Sequence, residues 1–214
     1  MTVNLDTTYL GLKLKSPIVA SACPTNSSLP TLRRLEEAGC GAAVLPSLFE
    51  EQIEYEEAAF GSLHEFGSDS FAEAASYFPE LDSYNTGPDD YLRLVELSVK
   101  QVSMPIIGSL NGVTSGGWTR YAKKIEEAGA VALELNMYYL PTDPEIDAAQ
   151  VEANYLELVN EVSSSISIPL AVKIGPFFSA PVNFAKKTGR SRCQWTGSVQ
   201  SVHAAGHRPR HHAG

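Results

Sequence analysis

The sequence predicts an α/β protein, an incomplete (β/α)8 TIM barrel in which about five βα units are present. Short apolar runs bounded by proline or glycine alternate with segments of helical period, which is the pattern of a parallel sheet covered by helices. A glycine-rich dinucleotide fingerprint does not follow the first strand, so a barrel is favoured over an open sheet. The chain has 214 residues, whereas a complete barrel typically has about 250.

The predicted elements follow one another in a regular order, after a small N-terminal hairpin that turns at Gly11. The predicted strands are Pro17–Pro24, Ala42–Phe49, Pro105–Gly112, Ala132–Pro141 and Pro169–Pro176. The predicted helices run from about Ser28 to Ala38, Asp89 to Val102, Trp118 to Ala128 and Ala148 to Ile166. Because apolar residues fall on one face of each helix, these helices are expected to cover the sheet.

The last predicted strand, PLAVKIGP, contains a single lysine, Lys173, within an apolar run. A buried ammonium group is costly unless it is paired, so this lysine is expected to have either a charged partner or a functional role. The alternative is a lysine at the end of the strand whose stem is packed and whose charge reaches solvent.

One heptapeptide occurs twice, as RRLEEAG at 33–39 and as KKIEEAG at 123–129, each time before a predicted strand. The final glycine of each copy is expected to be a left-handed helix cap, so one supersecondary unit is used twice. A third copy begins at 185–187. The composition then changes at Thr188, after which the chain has no acidic residue and contains four of its five histidines.

The segment 188–214 is therefore predicted to be a disordered, out-of-frame tail, and 1–187 to be the barrel domain of a truncated chain. With suitably chosen codons, reading 188–199 one nucleotide later gives LDEAGANGLVL, which completes the third repeat and adds a strand. The alternative is a metal-binding or nucleic-acid-binding tail, because HRPRHH has the residue types for both. Resequencing the gene distinguishes them.

Composition excludes several classes of function. The formal net charge is −9, and a basic stripe is missing from the first 187 residues, so nucleic acid is not expected as a partner. The N-terminal residues lack a signal-peptide pattern and no apolar run is long enough to cross a bilayer, which predicts a cytoplasmic protein without membrane contact. The three cysteines have no CxxC spacing, so neither disulfides nor a metal site is predicted.

The longest predicted connection, from Glu50 to Pro88, is acidic and aromatic. In a barrel it would follow the second strand and lie over the mouth at the carboxyl ends of the strands, where such loops act as lids. The alternative is a solvated acidic loop, and the same choice applies to His64 within it.

Five motifs together resemble the dihydroorotate dehydrogenase family. They are PIVASACP at 17–24, VLPSLFEEQIE at 44–54, PIIGSLNG at 105–112, LELNMYYLPTDP at 133–144 and LAVKIGPFFSA at 170–180. The similarity runs from about Asp6 to Lys187, is to the cytosolic class 1 type, and is strongest to its dihydroorotate dehydrogenase-like branch. It implies a TIM barrel, an FMN cofactor, the oxidation of dihydroorotate in pyrimidine biosynthesis, and homodimers among full-length relatives.

The resemblance also implies roles for individual residues. FMN would be contacted by residues at the ends of strands, namely Ala20, Ser21, Ala22, Ser47, Asn111, Asn136 and Lys173. Of these, Asn111 and Asn136 would also bind the substrate, since an amide offers both a donor and an acceptor to a pyrimidine edge. Lys173 would lie against the flavin ring and stabilise negative charge on it.

One motif departs from the family pattern. Tyr139 stands where class 1 relatives have the cysteine that removes a proton from the substrate, so Tyr139 is the candidate catalytic base. In general a phenol is a poorer general base than a thiol at neutral pH, because a smaller fraction of it is deprotonated there. Two alternatives therefore stay open: a flavin barrel enzyme acting on another dihydropyrimidine-like substrate, or an inactive fragment that cannot hold FMN.

Overall fold

The computed structural model describes residues 3–56, 87–175, 178–188 and the backbone of 193–195. Its strands are β1 (Thr7–Tyr9), β2 (Leu12–Leu14), β3 (Val19–Ala20), β4 (Ala42–Val44), β5 (Leu48–Phe49), β6 (Ile106–Asn111), β7 (Ala132–Met137), β8 (Leu170–Ile174) and β9 (Cys193–Trp195). Its helices are α1 (Leu29–Glu37), α2 (50–56), α3 (Pro88–Gln101), α4 (Arg120–Glu127), α5 (Ala148–Ser165) and α6 (Pro181–Thr188).

The main sheet is parallel and its strands lie in the order β3-β4-β6-β7-β8-β9, with β5 also paired to β6. Strands that are consecutive in the barrel pattern are therefore neighbours in space, with helices between them in sequence. This singly wound order forms an α/β half-barrel and confirms the predicted incomplete barrel, in which the carboxyl ends of all strands meet at one edge.

The two faces of the sheet differ in what covers them, because side chains alternate along each strand. On one face Leu133, Leu135 and Met137 of β7 pack in a large apolar core with residues of the covering helices, such as Leu158. On the opposite face, which is the barrel interior, the lower part is apolar and the upper part is polar. A small cluster of buried residues forms the lower part: Ala42, Val44, Ile107, Ala132 and Ala171.

The N-terminal hairpin closes the lower end of this interior. Strands β1 and β2 pair antiparallel, and the turn between them has positive φ at Leu10 and Gly11, as the predicted hairpin requires. Leu10 and Leu14 are 1% and 3% exposed and pack on the apolar interior cluster. The interior is therefore left polar towards the carboxyl ends of the strands.

The second predicted strand, Ala42–Phe49, is divided in two. Strands β4 and β5 both pair with β6, and the Leu45 N–H still donates to the Ile107 carbonyl at 2.9 Å, but residues 46 and 47 have no partner in the β6 register. Pro46 lies in the break and lacks the N–H that a central strand must donate. The first and fourth predicted strands are likewise shorter than expected, because Pro24 begins a 3₁₀ turn and the chain leaves the sheet after Met137.

The repeated heptapeptide forms the same structure twice. Gly39 and Gly129 have φ of +93° and +103°, which confirms the left-handed caps. The first glutamate of each copy has a second role: Glu36 accepts the backbone N–H groups of 103 and 104, and Glu126 accepts that of Ser167. Each glutamate thereby connects its helix to the loop that precedes the neighbouring strand.

Two predicted features fall largely or wholly outside the described residues. Most of the acidic lid, including His64, belongs to 57–86, which the structure does not describe. Of the tail, the described part is Thr188 and the backbone of 193–195, and the latter pairs in parallel with β8. Within the described ranges, the helices are all too short or too polar to cross a membrane.

Candidate active site

Polar side chains are concentrated on the interior face at the carboxyl ends of the strands. Ser109 and Asn111 are two positions apart on β6 and therefore share a face. Asn136 lies on β7, and Lys173 lies on β8. The register pairs Asn111 with Asn136, and Asn136 with Lys173. Since residues paired in register point to the same face of a sheet, three of the predicted site residues lie side by side across β6, β7 and β8.

Asn136 is the centre of a hydrogen-bonded cluster. Its Nδ2 lies 2.9 Å from Ser109 Oγ, 3.1 Å from Ser47 Oγ and 3.3 Å from the Leu110 carbonyl oxygen. The two serine hydroxyls are 2.8 Å apart. The structure therefore brings Ser47 into the cluster with Asn136, and it adds Ser109, which the sequence did not single out as a site residue.

Tyr91 supports this cluster from the helix-covered face of the sheet, beside the break between β4 and β5. Its hydroxyl donates to the Ser109 carbonyl at 3.1 Å and accepts the Ser109 N–H at 2.8 Å. Those are the backbone groups left without a strand partner near Pro46. Burial raises the pKa of the Tyr91 phenol, which is 2% exposed, and the negative charge of Glu134 raises it further. Tyr91 is therefore a neutral phenol whose hydroxyl takes the place of the strand hydrogen bonds that are missing at Ser109.

Lys173 has the charged partner that its burial called for. Its Nζ lies 3.1 Å from Oε1 of Glu134, and the two side chains are 22% and 10% exposed. Glu134 is on β7, two residues before Asn136, so the lysine points back towards the middle of the interior face. The sequence offered a signal for this pair, because Glu134 is a charge within the apolar β7 run.

The end of β3 is held beside β4 by Asn26. This side chain is 2% exposed, and its Nδ2 donates to the carbonyl oxygens of Ser21 at 2.9 Å and Val44 at 2.8 Å. The predicted residues Ala20 and Ala22 are half-buried, and Ser21 is exposed. Ala20 packs against the helix-side core and Ala22 against the interior cluster, so these two are on opposite faces.

The loop after β6 is fixed by Glu50, another residue that the sequence did not reveal as important. Its carboxylate accepts the N–H of Val113 at 2.7 Å and the hydroxyl of Thr114. A Cβ at Gly112 would lie 2.7 Å from this carboxylate and 2.4 Å from the Trp118 ring. Glycine is therefore required at position 112, because a side chain there would prevent Glu50 and Trp118 from packing against the loop that follows Asn111.

Tyr139 is placed apart from the polar cluster. Its N–H donates to the Tyr155 hydroxyl at 3.1 Å, and its side chain is 38% exposed. It lines a groove of about 190 Å³ that is bordered by α5 and also by Phe178. Burial raises the pKa of Tyr155. Among the described contacts, none joins Tyr139 to Asn136 or Lys173.

The cluster offers a flat ligand one unused acceptor. Asn136 is 2% exposed, and its Oδ1 is buried without a hydrogen-bond partner among the described residues. A buried carbonyl oxygen without a donor is unfavourable by about 1–3 kcal/mol, so a donor that reaches it is favoured. With Asn111 and Lys173 beside it, the donor set fits the polar edge of a flavin or pyrimidine ring.

Sequence comparison identifies relatives with a common name. Two curated proteins named dihydroorotate dehydrogenase B (NAD(+)), catalytic subunit, are similar over 86% of this chain: those of Thermoplasma volcanium at 26% identity and Thermoplasma acidophilum at 25%. The chain spans 58% of the length of each relative. No protein-family model matches the chain.

Comparison of structures identifies barrel enzymes. A crystal structure from Pseudomonas aeruginosa, assigned as a dihydrodipicolinate synthetase, aligns with a TM-score of 0.51 at 17% identity. The alignment covers 86% of this chain and 57% of that one. This likeness concerns the fold alone. The chain is therefore similar in sequence to dihydroorotate dehydrogenases over most of its length, and its fold is an α/β half-barrel like part of a TIM-barrel enzyme.

Proposed function

We propose that this half-barrel supplies the ring-binding part of an FMN-dependent oxidoreductase of dihydroorotate dehydrogenase type. The observation that carries the proposal is the row formed by Asn111, Asn136 and Lys173 across three adjacent strands. Barrel enzymes bind their ligands at this edge. The relatives' shared name supports the same reaction class, with a dihydroorotate-like small molecule as substrate.

Each part of the row has a chemical role in this proposal. These residues would hold the ring of FMN, which would supply a hydride acceptor for the substrate. Asn111 and Asn136 orient flat rings through their amide groups, and Ser47 holds Asn136 in place. The Lys173 ammonium group stabilises negative charge beside it, and Glu134 keeps that ammonium group on the interior face.

A second candidate concerns the substrate. Tyr139 occupies the position of the family's base, but its backbone is bound to Tyr155 and its side chain lines the helix-side groove. This placement favours a related flavin enzyme that acts on another dihydropyrimidine-like molecule. If Tyr139 is the base, Tyr139→Phe will abolish turnover of dihydroorotate, whereas the exposed Tyr55→Phe will not.

Flavin titration of the full chain tests the proposal. The proposed contacts are with the flavin ring, and no described residue is assigned to the phosphate of FMN. We therefore expect weak binding, with riboflavin and FMN bound within about threefold of each other, since a phosphate contact of even 1.4 kcal/mol would give about tenfold. Stoichiometric, tightly bound FMN in the purified chain would contradict weak binding through the ring alone. No response to either flavin would contradict binding of the ring.

A further inference from the structure

We propose that Ser47 and Ser109 are positioning residues that make Asn136 a hydrogen-bond acceptor, so that the site selects a ring with a free N–H at that position. The inference rests on the proposed function and specifies its ligand class as a cyclic amide or imide. It differs from the expectation drawn from the sequence, in which the amide offers both of its groups to the ligand.

The donor half of the Asn136 amide is already occupied. Three oxygen atoms surround Nδ2: the hydroxyls of Ser47 and Ser109 and the Leu110 carbonyl. An amide nitrogen has two hydrogens, so these acceptors use its whole capacity. Rotating the amide by 180° would place Oδ1 against the Leu110 carbonyl oxygen, which is repulsive, so the orientation is fixed by the contacts.

The acceptor half of the amide is unpaired among the described residues, and its Oδ1 is buried. The nearest ammonium group by register, that of Lys173, is hydrogen-bonded to Glu134 instead. A ligand N–H that reaches Oδ1 would therefore satisfy a buried acceptor, whereas a ligand carbonyl at the same place would find no donor.

The serine pair is itself held in place. The Ser109 backbone is bound at both its N–H and its carbonyl by the Tyr91 hydroxyl. Its side chain is 2.8 Å from that of Ser47, which lies in the break between β4 and β5. The break caused by Pro46 therefore brings a second hydroxyl to the amide of Asn136.

The orientation is tested first, without any ligand, by hydrogen exchange of side-chain amides in full-length protein labelled with ¹⁵N-asparagine. The Nδ2 protons of Asn136 should exchange at least about tenfold more slowly than those of exposed Asn154, because a hydrogen bond of about 1.4 kcal/mol gives that factor. The double variant Ser47→Ala/Ser109→Ala should lose this protection. Ser98→Ala is the matched control, since its buried hydroxyl has no hydrogen-bond partner within the part of the chain that the structure describes.

The ligand class is tested by titrating the same protein with glutarimide and N-methylglutarimide, a pair that differs only at the imide nitrogen. The wild-type chain should bind glutarimide about tenfold more tightly or better, because methylation leaves the buried Oδ1 unpaired. In the double serine variant the ratio should fall towards one, because the Leu110 carbonyl at 3.3 Å is then the one remaining described contact that orients the amide, and the amide can also turn an N–H towards a ligand carbonyl. Ser98→Ala should keep the wild-type ratio.

The outcomes separate this inference from the proposed function. Rapid exchange of the Asn136 amide in the wild-type chain, or a ratio unchanged by the double serine variant, would overturn the positioning role even if flavin binds. A protected amide with equal binding of the two imides would overturn the N–H selectivity alone. A protected amide in a chain that binds neither imide nor riboflavin would overturn the ligand assignment together with the proposed function.

Discussion

Replacing Glu134 by glutamine tests the ion pair at the centre of the interior face. The substitution keeps the size of the side chain and removes its charge, leaving the Lys173 ammonium group without its partner at 3.1 Å. Breaking a fully buried pair in this way costs about 3–5 kcal/mol. The Lys173 side chain is 22% exposed, so water relieves part of the penalty, and we expect a loss of about 2–3 kcal/mol in the free energy of unfolding.

Substitution of the lysine completes a double-mutant cycle. Lys173→Met leaves the Glu134 carboxylate unpaired, and the double variant Glu134→Gln/Lys173→Met removes both charges. Because the two residues are in contact, their effects should not add, and the double variant should be more stable than the sum of the single losses predicts, by about 1–3 kcal/mol.

Urea denaturation with linear extrapolation measures all four chains. The exposed pair of Glu96 and Lys100, 3.6 Å apart and 53% and 69% exposed, provides the control: Glu96→Gln should change stability by less than about 0.5 kcal/mol. Additive losses in the cycle, or a Glu134→Gln loss as small as that of the control, would refute the claim that Lys173 depends on Glu134.

Two further predictions concern the supports of the site and of the fold. Tyr91→Phe should destabilise the chain by about 1–3 kcal/mol, because Ser109 loses both backbone partners; exposed Tyr55→Phe should be neutral in the same urea experiment, and equal effects would contradict the role of the hydroxyl. Burial would raise the pKa of Glu126, but hydrogen bonds outweigh it and lower the pKa to about 2 from its ordinary 4.5. The contribution of this carboxylate to the free energy of unfolding is therefore complete above pH 4.5 and is lost as the pH falls towards 2. Glu126→Gln should consequently be less stable than wild type at pH 7, and this difference in stability should disappear in acid. A gap that persists at pH 2 would refute the assignment.

Much of the fold follows from local patterns that the sequence displays. Apolar runs between prolines gave the parallel strands, and the glycines after the repeated heptapeptides gave the left-handed caps at Gly39 and Gly129. The alternation of β6 and β7 places Asn111 and Asn136 on one face, as their positions at strand ends predicted. These features depend on residues close together in the chain, which is why they could be predicted.

The remaining features depend on contacts between distant segments. Tyr91 reads in the sequence as one apolar position of a helix, and its role appears once Pro46 opens the ladder beside Ser109. The partner of Lys173 is 39 residues away. The repeat glutamates read as exposed acids near a helix end, whereas Glu36 accepts backbone N–H groups 67 and 68 residues away.

The most direct test of the account follows the amide signals of Asn111 and Asn136 while riboflavin is added to the full-length chain. We predict that both side-chain amides shift with the same saturation curve, because both lie on the interior face that the flavin ring would occupy. The ring signals of Tyr155 report on the groove beside α5 and should not change. Shifts at Tyr155 with unmoved asparagine amides would place the ligand on the helix side and contradict the interior site.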